Sequence, residues 1–192
     1  MPKLRSEHKP PPDSQCQINP FWLTRRGEID RLVAQPSALS STFLGWQGLQ
    51  LEYRCADAGA MPEVYAPWHT IAFVCNTPHD PTLVCRSGGK QWQEQTQAGD
   101  TAIIPAGVGY GVQWAAPIAS LVLMLEPIAL ATAIEGSQET TQLELTPQFS
   151  QFDPLLYQLG LTLKAIVASD GTGQRLYAES LVNTLMLGTV SL

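Results

Sequence analysis

The sequence predicts a mainly β domain, an antiparallel sandwich or small barrel, followed by a small C-terminal helical part. Three observations carry this. From about residue 42 to 126, short apolar runs are separated by Gly and Pro, with no helical period between them. After Glu126 the apolar spacing becomes helical. The chain has 192 residues and is 44% hydrophobic, enough for one buried core with appendages. The expected divisions are a leader at 1–38 with a short helix, a β-barrel at 39–126, and helical packing or dimerisation elements at 127–192.

Residues 1–20 are polar and proline-rich, which predicts a mobile leader. "TRRGEIDRLVA", residues 24–34, predicts a short helix, weakened by Gly27 and stopped before Pro36. "TFLGWQGLQLEYR" sets Leu49, Leu51 and Tyr53 against Gln50, Glu52 and Arg54, the period of a half-buried strand. "EVYAPWHTIAFVC" is aromatic and β-branched, with Pro67 marking an edge or a bend. "TLVCRSGGKQWQEQ" predicts a hairpin about Ser87-Gly88-Gly89-Lys90. "DTAIIPAG", "YGVQW" and "IASLVLMLE" are further strands. "PIALATAIEG" has the proline start and glycine stop of a helix. Residues 137–152 are expected to be polar linker with an extended piece, "QLELTP". Asp153-Pro154 opens a second helix with Leu155, Leu159, Leu163 and Ile166 in a stripe. A third helix, 174–187, aligns Tyr177, Leu181 and Leu185, and "MLGTVSL" does not continue its pattern.

Composition excludes several classes. The net charge is −6, and six of the eleven basic residues precede residue 35, so the C-terminal half offers no basic face to a duplex. The longest apolar run is broken by Glu126-Pro127, which argues against a membrane span, and the N-terminus lacks the apolar region of a secretory signal. A cytoplasmic location is the expectation. Cys16, Cys55, Cys75 and Cys85 show no metal spacing and are expected to be reduced, mainly buried thiols; a Cys75–Cys85 bridge is the alternative.

The spacing Gly99-x5-Pro105-x-Gly107-x2-Tyr110 resembles the second motif of the cupin family, in which a metal-binding histidine stands where this chain has Tyr110. Counting the first cupin motif from Gly59 puts Tyr65 and Pro67 at its two histidines and Ile71 or Ala72 at its glutamate. Those residues cannot supply the converging donors a divalent metal needs. The resemblance therefore implies a cupin-like barrel of jelly-roll type with no metal and no cofactor. Over about residues 40–187 the chain also resembles the N-terminal portion of AraC-family transcription regulators, most closely at Asp153-Pro-Leu-Leu and Leu176-Tyr-Ala-Glu-Ser-Leu. That resemblance implies an effector-binding and dimerising domain without the family's C-terminal DNA-binding helices.

The expected function is therefore ligand sensing and dimerisation, not catalysis, in an AraC-type regulator that stops before its DNA-binding domain. The expected partners are a small organic effector, a second copy of the chain and a full-length relative of that family, with no duplex DNA and no membrane. Strand alternation from the motif positions turns Tyr65, His69, Ile71 and Phe73 inward from one strand and Tyr110, Val112 and Trp114 inward from another. Tyr65, His69, Tyr110 and Trp114 are the expected ligand-binding residues, aromatic walls with one polar imidazole. The competing readings are a metal-independent cupin enzyme of isomerase or lyase type and a purely structural dimerisation module with a filled barrel.

Overall fold

The computed structural model describes residues 21–33, 35–77, 82–135, 145–169 and 174–190. Two short strands, β1 (Phe21–Trp22) and β2 (Leu39–Ser40), flank a 3-10 turn at Arg26–Arg31. The central strands are β3 (Leu49–Ala56), β4 (Gly59–Tyr65), β5 (His69–Asn76), β6 (Thr82–Ser87), β7 (Lys90–Gln95), β8 (Asp100–Ile104), β9 (Tyr110–Trp114) and β10 (Ile118–Leu125). After them come α1 (Pro127–Glu135), β11 (Gln148–Phe152), α2 (Pro154–Ala168) and α3 (Arg175–Val190).

The strands form two sheets, ordered β1-β4-β9-β6-β7 and β11-β8-β5-β10-β3-β2. Without the appended β1, β2 and β11, each sheet has four strands, and the chain crosses repeatedly from one sheet to the other. That is jelly-roll order, built from two interlocked Greek keys. The β6–β7 hairpin closes as its sequence predicts. Gly88 and Gly89 have φ of 58° and 75°, and two consecutive positive φ values are what a two-residue type I′ turn requires.

The six-stranded sheet is covered on both faces. Its outer face carries Leu51, Ile71, Phe73, Leu121 and Leu123, all at 0% exposure, in one core with Leu156 and Leu163 of α2 and Leu185 of α3. Each such side chain contributes about 1.5–3 kcal/mol by leaving water. Gly160 lets α2 approach closely, since a Cβ there would stand 2.9 Å from the Phe73 ring. Asp153 caps α2 by accepting the Leu156 N–H at 2.9 Å, with Pro154 in the first turn, as expected.

The inner face of the same sheet holds the polar half of β3. Gln50, Glu52 and Arg54 are 9%, 3% and 4% exposed. Glu52 accepts from Gln50 Nε2 at 2.8 Å and from Arg54 Nε at 3.0 Å, and Arg54 Nη2 bonds both Glu52 and, at 2.6 Å, Asp30. Mutual pairing is what makes burial of these charges tolerable.

Several expectations are corrected. The helix expected over 24–34 is only the 3-10 turn Arg26–Arg31. The run 63–75 is two strands in different sheets, not one bent strand. The third helix continues to Val190 instead of ending near 187. The segment read as linker contains β11, starting at Gln148, after the extended piece that was expected. Leu155 leaves the α2 stripe and is 60% exposed, and Tyr177 is 55% exposed. Of the cysteines expected to be reduced and mainly buried, Cys85 is buried, Cys75 intermediate and Cys55 exposed; Cys75 and Cys85 lie in different sheets and are unbridged, which sets aside only the alternative of a bridge. Residues 1–20 of the expected leader, with Cys16, lie outside the described residues.

Candidate functional site

Between the two sheets lies a cavity of about 190 Å³. One wall is β9, with Tyr110, Val112 and Trp114, next to Cys85 of β6; the opposite wall is β5, with Thr70, Ala72 and Val74. The sandwich has two open sides, and each is closed by an appended segment. On one side Leu23 and Ile29 of the N-terminal segment pack with Trp68, Val64 and Met124. On the other side β11 pairs with β8 and reaches β7, where the Ser150 hydroxyl donates to Glu94.

The structure divides the four expected ligand-binding residues. Tyr110 and Trp114 line the cavity. Tyr65 and His69 do not: β4 pairs Val64, not Tyr65, with Tyr110, so Val64 faces inward and Tyr65 outward. Tyr65 stacks on Trp22 with ring centroids 5.0 Å apart. Ile71 and Phe73 also face the helices, while Thr70, Ala72 and Val74 face the cavity. For Tyr65 the cause is a β-bulge between Met61 and Val64; β5 takes its own phase from pairing with β8 and β10 in the other sheet. Gly59 and Met61 oppose Trp114 and Val112, so odd-numbered residues face inward up to the bulge; the inserted residue then reverses the phase. Pro62 is the one sequence signal for it, because proline within a sheet favours bulges.

The polar groups around Tyr110 and Trp114 are neutral or already paired. Tyr110 Oη lies 3.6 Å from Cys85 Sγ. Burial pushes the Tyr110 phenol well above its ordinary range, with Cys85 and Glu94 adding to the shift. Burial likewise raises the Cys85 thiol. Both groups are neutral near pH 7, since raised acids keep their protons. Trp114 Nε1 donates to the Asp57 carbonyl at 2.5 Å, so its indole offers the cavity only an apolar face. His69 stands outside, its Nδ1 accepting the Ala106 N–H at 3.0 Å, and burial lowers its pKa.

Two aromatic residues that the sequence reading did not single out complete the site. Phe149 of β11 stacks on Tyr110 at 5.5 Å and 15°, and Trp92 packs on Phe149 at 4.9 Å. Trp92 Nε1 donates to Glu94 at 2.8 Å. Phe149 carried little signal, because the five residues Gln148–Phe152 hold only Phe149 and Phe152 as apolar positions, at neither a strand's nor a helix's full period.

Gly99 turns the chain into β8, and the turn with Pro105 and Gly107 connects β8 to β9 and delivers Tyr110 to the inner wall, as the motif resemblance implies. With the jelly-roll order, this decides the architecture. The fold is cupin-like. No family model matches the chain, and no curated protein does. Among solved structures it is similar to a cupin domain of Bordetella pertussis Tohama I, at 10% identity over 48% of this chain and 96% of that one, TM-score 0.37. It is similar to a cupin-2 domain-containing protein of Shewanella frigidimarina NCIMB 400, at 14% identity over 48% and 84%, TM-score 0.36. It is also similar to the Clostridium difficile EutQ protein, at 14% identity, TM-score 0.33, matching 41% of this chain and spanning 56% of EutQ.

A cupin-like fold raises the question of a metal, and the donor set does not fit one. The interior presents Val64, Thr70, Ala72, Tyr110 and Val112 around the motif positions. Among the described residues no three His, Cys, Asp or Glu side chains converge. A divalent ion needs several such donors at once.

Proposed function

We propose that this chain is the ligand-sensing and dimerising domain of an AraC-type regulator, working through binding and without a metal. The observation that carries the reading is the cavity of about 190 Å³, walled by Tyr110, Phe149, Val112 and Trp114 and closed on two sides by appended segments. A dry apolar cavity of about 150 Å³ takes benzene, so this one suits a single ring with a short substituent. The chemistry supports binding over catalysis. Tyr110 and Cys85 both hold their protons, and the one described strand histidine is tied to the Ala106 backbone outside the cavity. General acid–base work needs a group poised near the operating pH.

The test is a calorimetric and thermal-shift series with monocyclic aromatic probes. A probe that fits raises the melting temperature, because it binds only the folded state. Ala72→Phe, which fills the cavity from β5, abolishes that rise while preserving a cooperative melt. If no monocyclic probe shifts the melt at millimolar concentration, the sensing reading fails.

Dimerisation belongs to the same reading. The α2 stripe is largely used up against the sheet and the α3 stripe against α1 and α2, which leaves Leu155, Leu176 and Tyr177, at 60%, 82% and 55% exposure, as the apolar surface for a second copy. Light scattering is expected to give twice the chain mass at micromolar concentration, and Leu176→Glu with Tyr177→Glu the single mass. A monomer for the unmodified chain removes this part.

A further inference from the structure

The cavity's charges point to its occupant. Glu94 and Asp100 both line it, and neither has an ion-pair partner among the described residues. The lining cation is Arg54, and it is already held by Glu52 and Asp30. Glu94 is also positioned rather than mobile. Trp92 Nε1 donates to its Oε1 and the Ser150 hydroxyl to its Oε2. A carboxylate has about four lone-pair sites, so two acceptor sites stay available. Beside it stand Tyr110 and Phe149, which line the cavity and stack on each other, and behind them Trp92 packs on Phe149. Aromatic faces next to an uncompensated carboxylate attract a cation. Trp68 also lines the cavity, is 5% exposed, and its indole N–H has no hydrogen-bond partner; that group is a donor open to an acceptor and does not itself select a cation.

We infer that the cavity binds a small organic ammonium ion, a protonated amine on a single ring, with the charge at Glu94 against the Tyr110–Phe149–Trp92 cluster. The inference rests on the sensing reading and narrows it to one class of ligand. Neutral molecules of the same shape lack the charge, and anions meet Glu94 and Asp100 as like charges.

Benzylamine, benzyl alcohol and benzoate make the test, since they share a ring and differ in charge. Titration calorimetry is expected to show one benzylamine per chain, with benzyl alcohol at least tenfold weaker and benzoate not bound. Glu94→Gln keeps its amide oxygen as the acceptor for Trp92 Nε1 and turns its NH2 to the Ser150 hydroxyl, which can accept as well as donate, so it preserves the local packing. It is expected to weaken benzylamine by roughly tenfold to a hundredfold, the loss typical of a hydrogen bond to a charged group, and to leave benzyl alcohol unchanged. Benzyl alcohol or benzoate binding as tightly as benzylamine overturns the ammonium assignment and leaves the sensing reading standing. The same benzylamine affinity in the unmodified protein and in Glu94→Gln places the charge elsewhere and also overturns it. Binding of none of the three overturns it as well, and the wider panel of ring probes then decides the sensing reading separately.

Discussion

His69 accepts the Ala106 N–H through Nδ1, which requires that nitrogen to be unprotonated. Burial lowers its pKa below the ordinary value of about 6.5. The unfolded chain therefore takes up a proton at a higher pH than the folded one. The stabilisation is full above about pH 6.5 and is lost as the pH falls through the folded-state pKa. Melting temperatures between pH 7.5 and 5 are expected to fall more steeply for the unmodified protein than for His69→Asn. Parallel curves for the two would remove His69 from the pH dependence. Arg54 gives a sharper residue-scale case. With Arg54→Met, Glu52 stays at 3% exposure without its cation, and breaking such a pair costs about 3–5 kcal/mol. Urea unfolding should show that loss, and Arg54→Met combined with Glu52→Leu should recover most of it. Residue types were readable in the sequence here, but their surroundings were not. The Gln50, Glu52, Arg54 alternation reads as a solvent face because the pattern cannot say which side of a sheet meets water.

Elements were more legible than orientations. The hairpin about Gly88-Gly89, the strands from Asp100 to Leu125 and the first two helices all follow from local chemistry: turn glycines, β-branched runs, an Asp cap and Pro in the first turn. What failed was phase. A single bulge in β4 moved Tyr65 off the cavity wall and brought Val64 onto it, and β5, a separate strand in the other sheet, turns Thr70 and Ala72 inward in place of His69. Tyr110 and Trp114 lie on β9, whose pairing with β6 runs without a register shift, and they stayed where the motif put them. β11 was missed for another reason. Its place is set by pairing with β8 and by Phe149 meeting Tyr110, neither of which leaves a local period in five residues. At this scale the α2 cap makes a direct prediction. Asp153→Ala removes the acceptor for the Leu156 N–H and should cost about 1 kcal/mol. Asp153→Asn or Asp153→Ser should restore most of it, as read by denaturant midpoints at unchanged slope. Equal midpoints for Asp153→Ala and the unmodified chain would show that the cap contributes nothing.

For the whole molecule, fold class was readable because a jelly roll repeats one simple signal, short strands with Gly/Pro punctuation, and because the change of period at Glu126 is abrupt. The strand order was not readable from periodicity, since pairing between distant strands leaves no local mark. One consequence of the layout concerns β10. It lies between β3 and β5, with α2 over one face and the barrel interior on the other. Leu121, Leu123, Met124 and Leu125 are all at 0% exposure. Its amides have no local route to solvent, so they exchange hydrogen for deuterium only when the whole domain opens. The protection of 121–125 is then a direct gauge of global stability. Anything that binds the cavity should slow exchange there by the full factor that its concentration and affinity dictate, even though β10 is not the strand it stacks against.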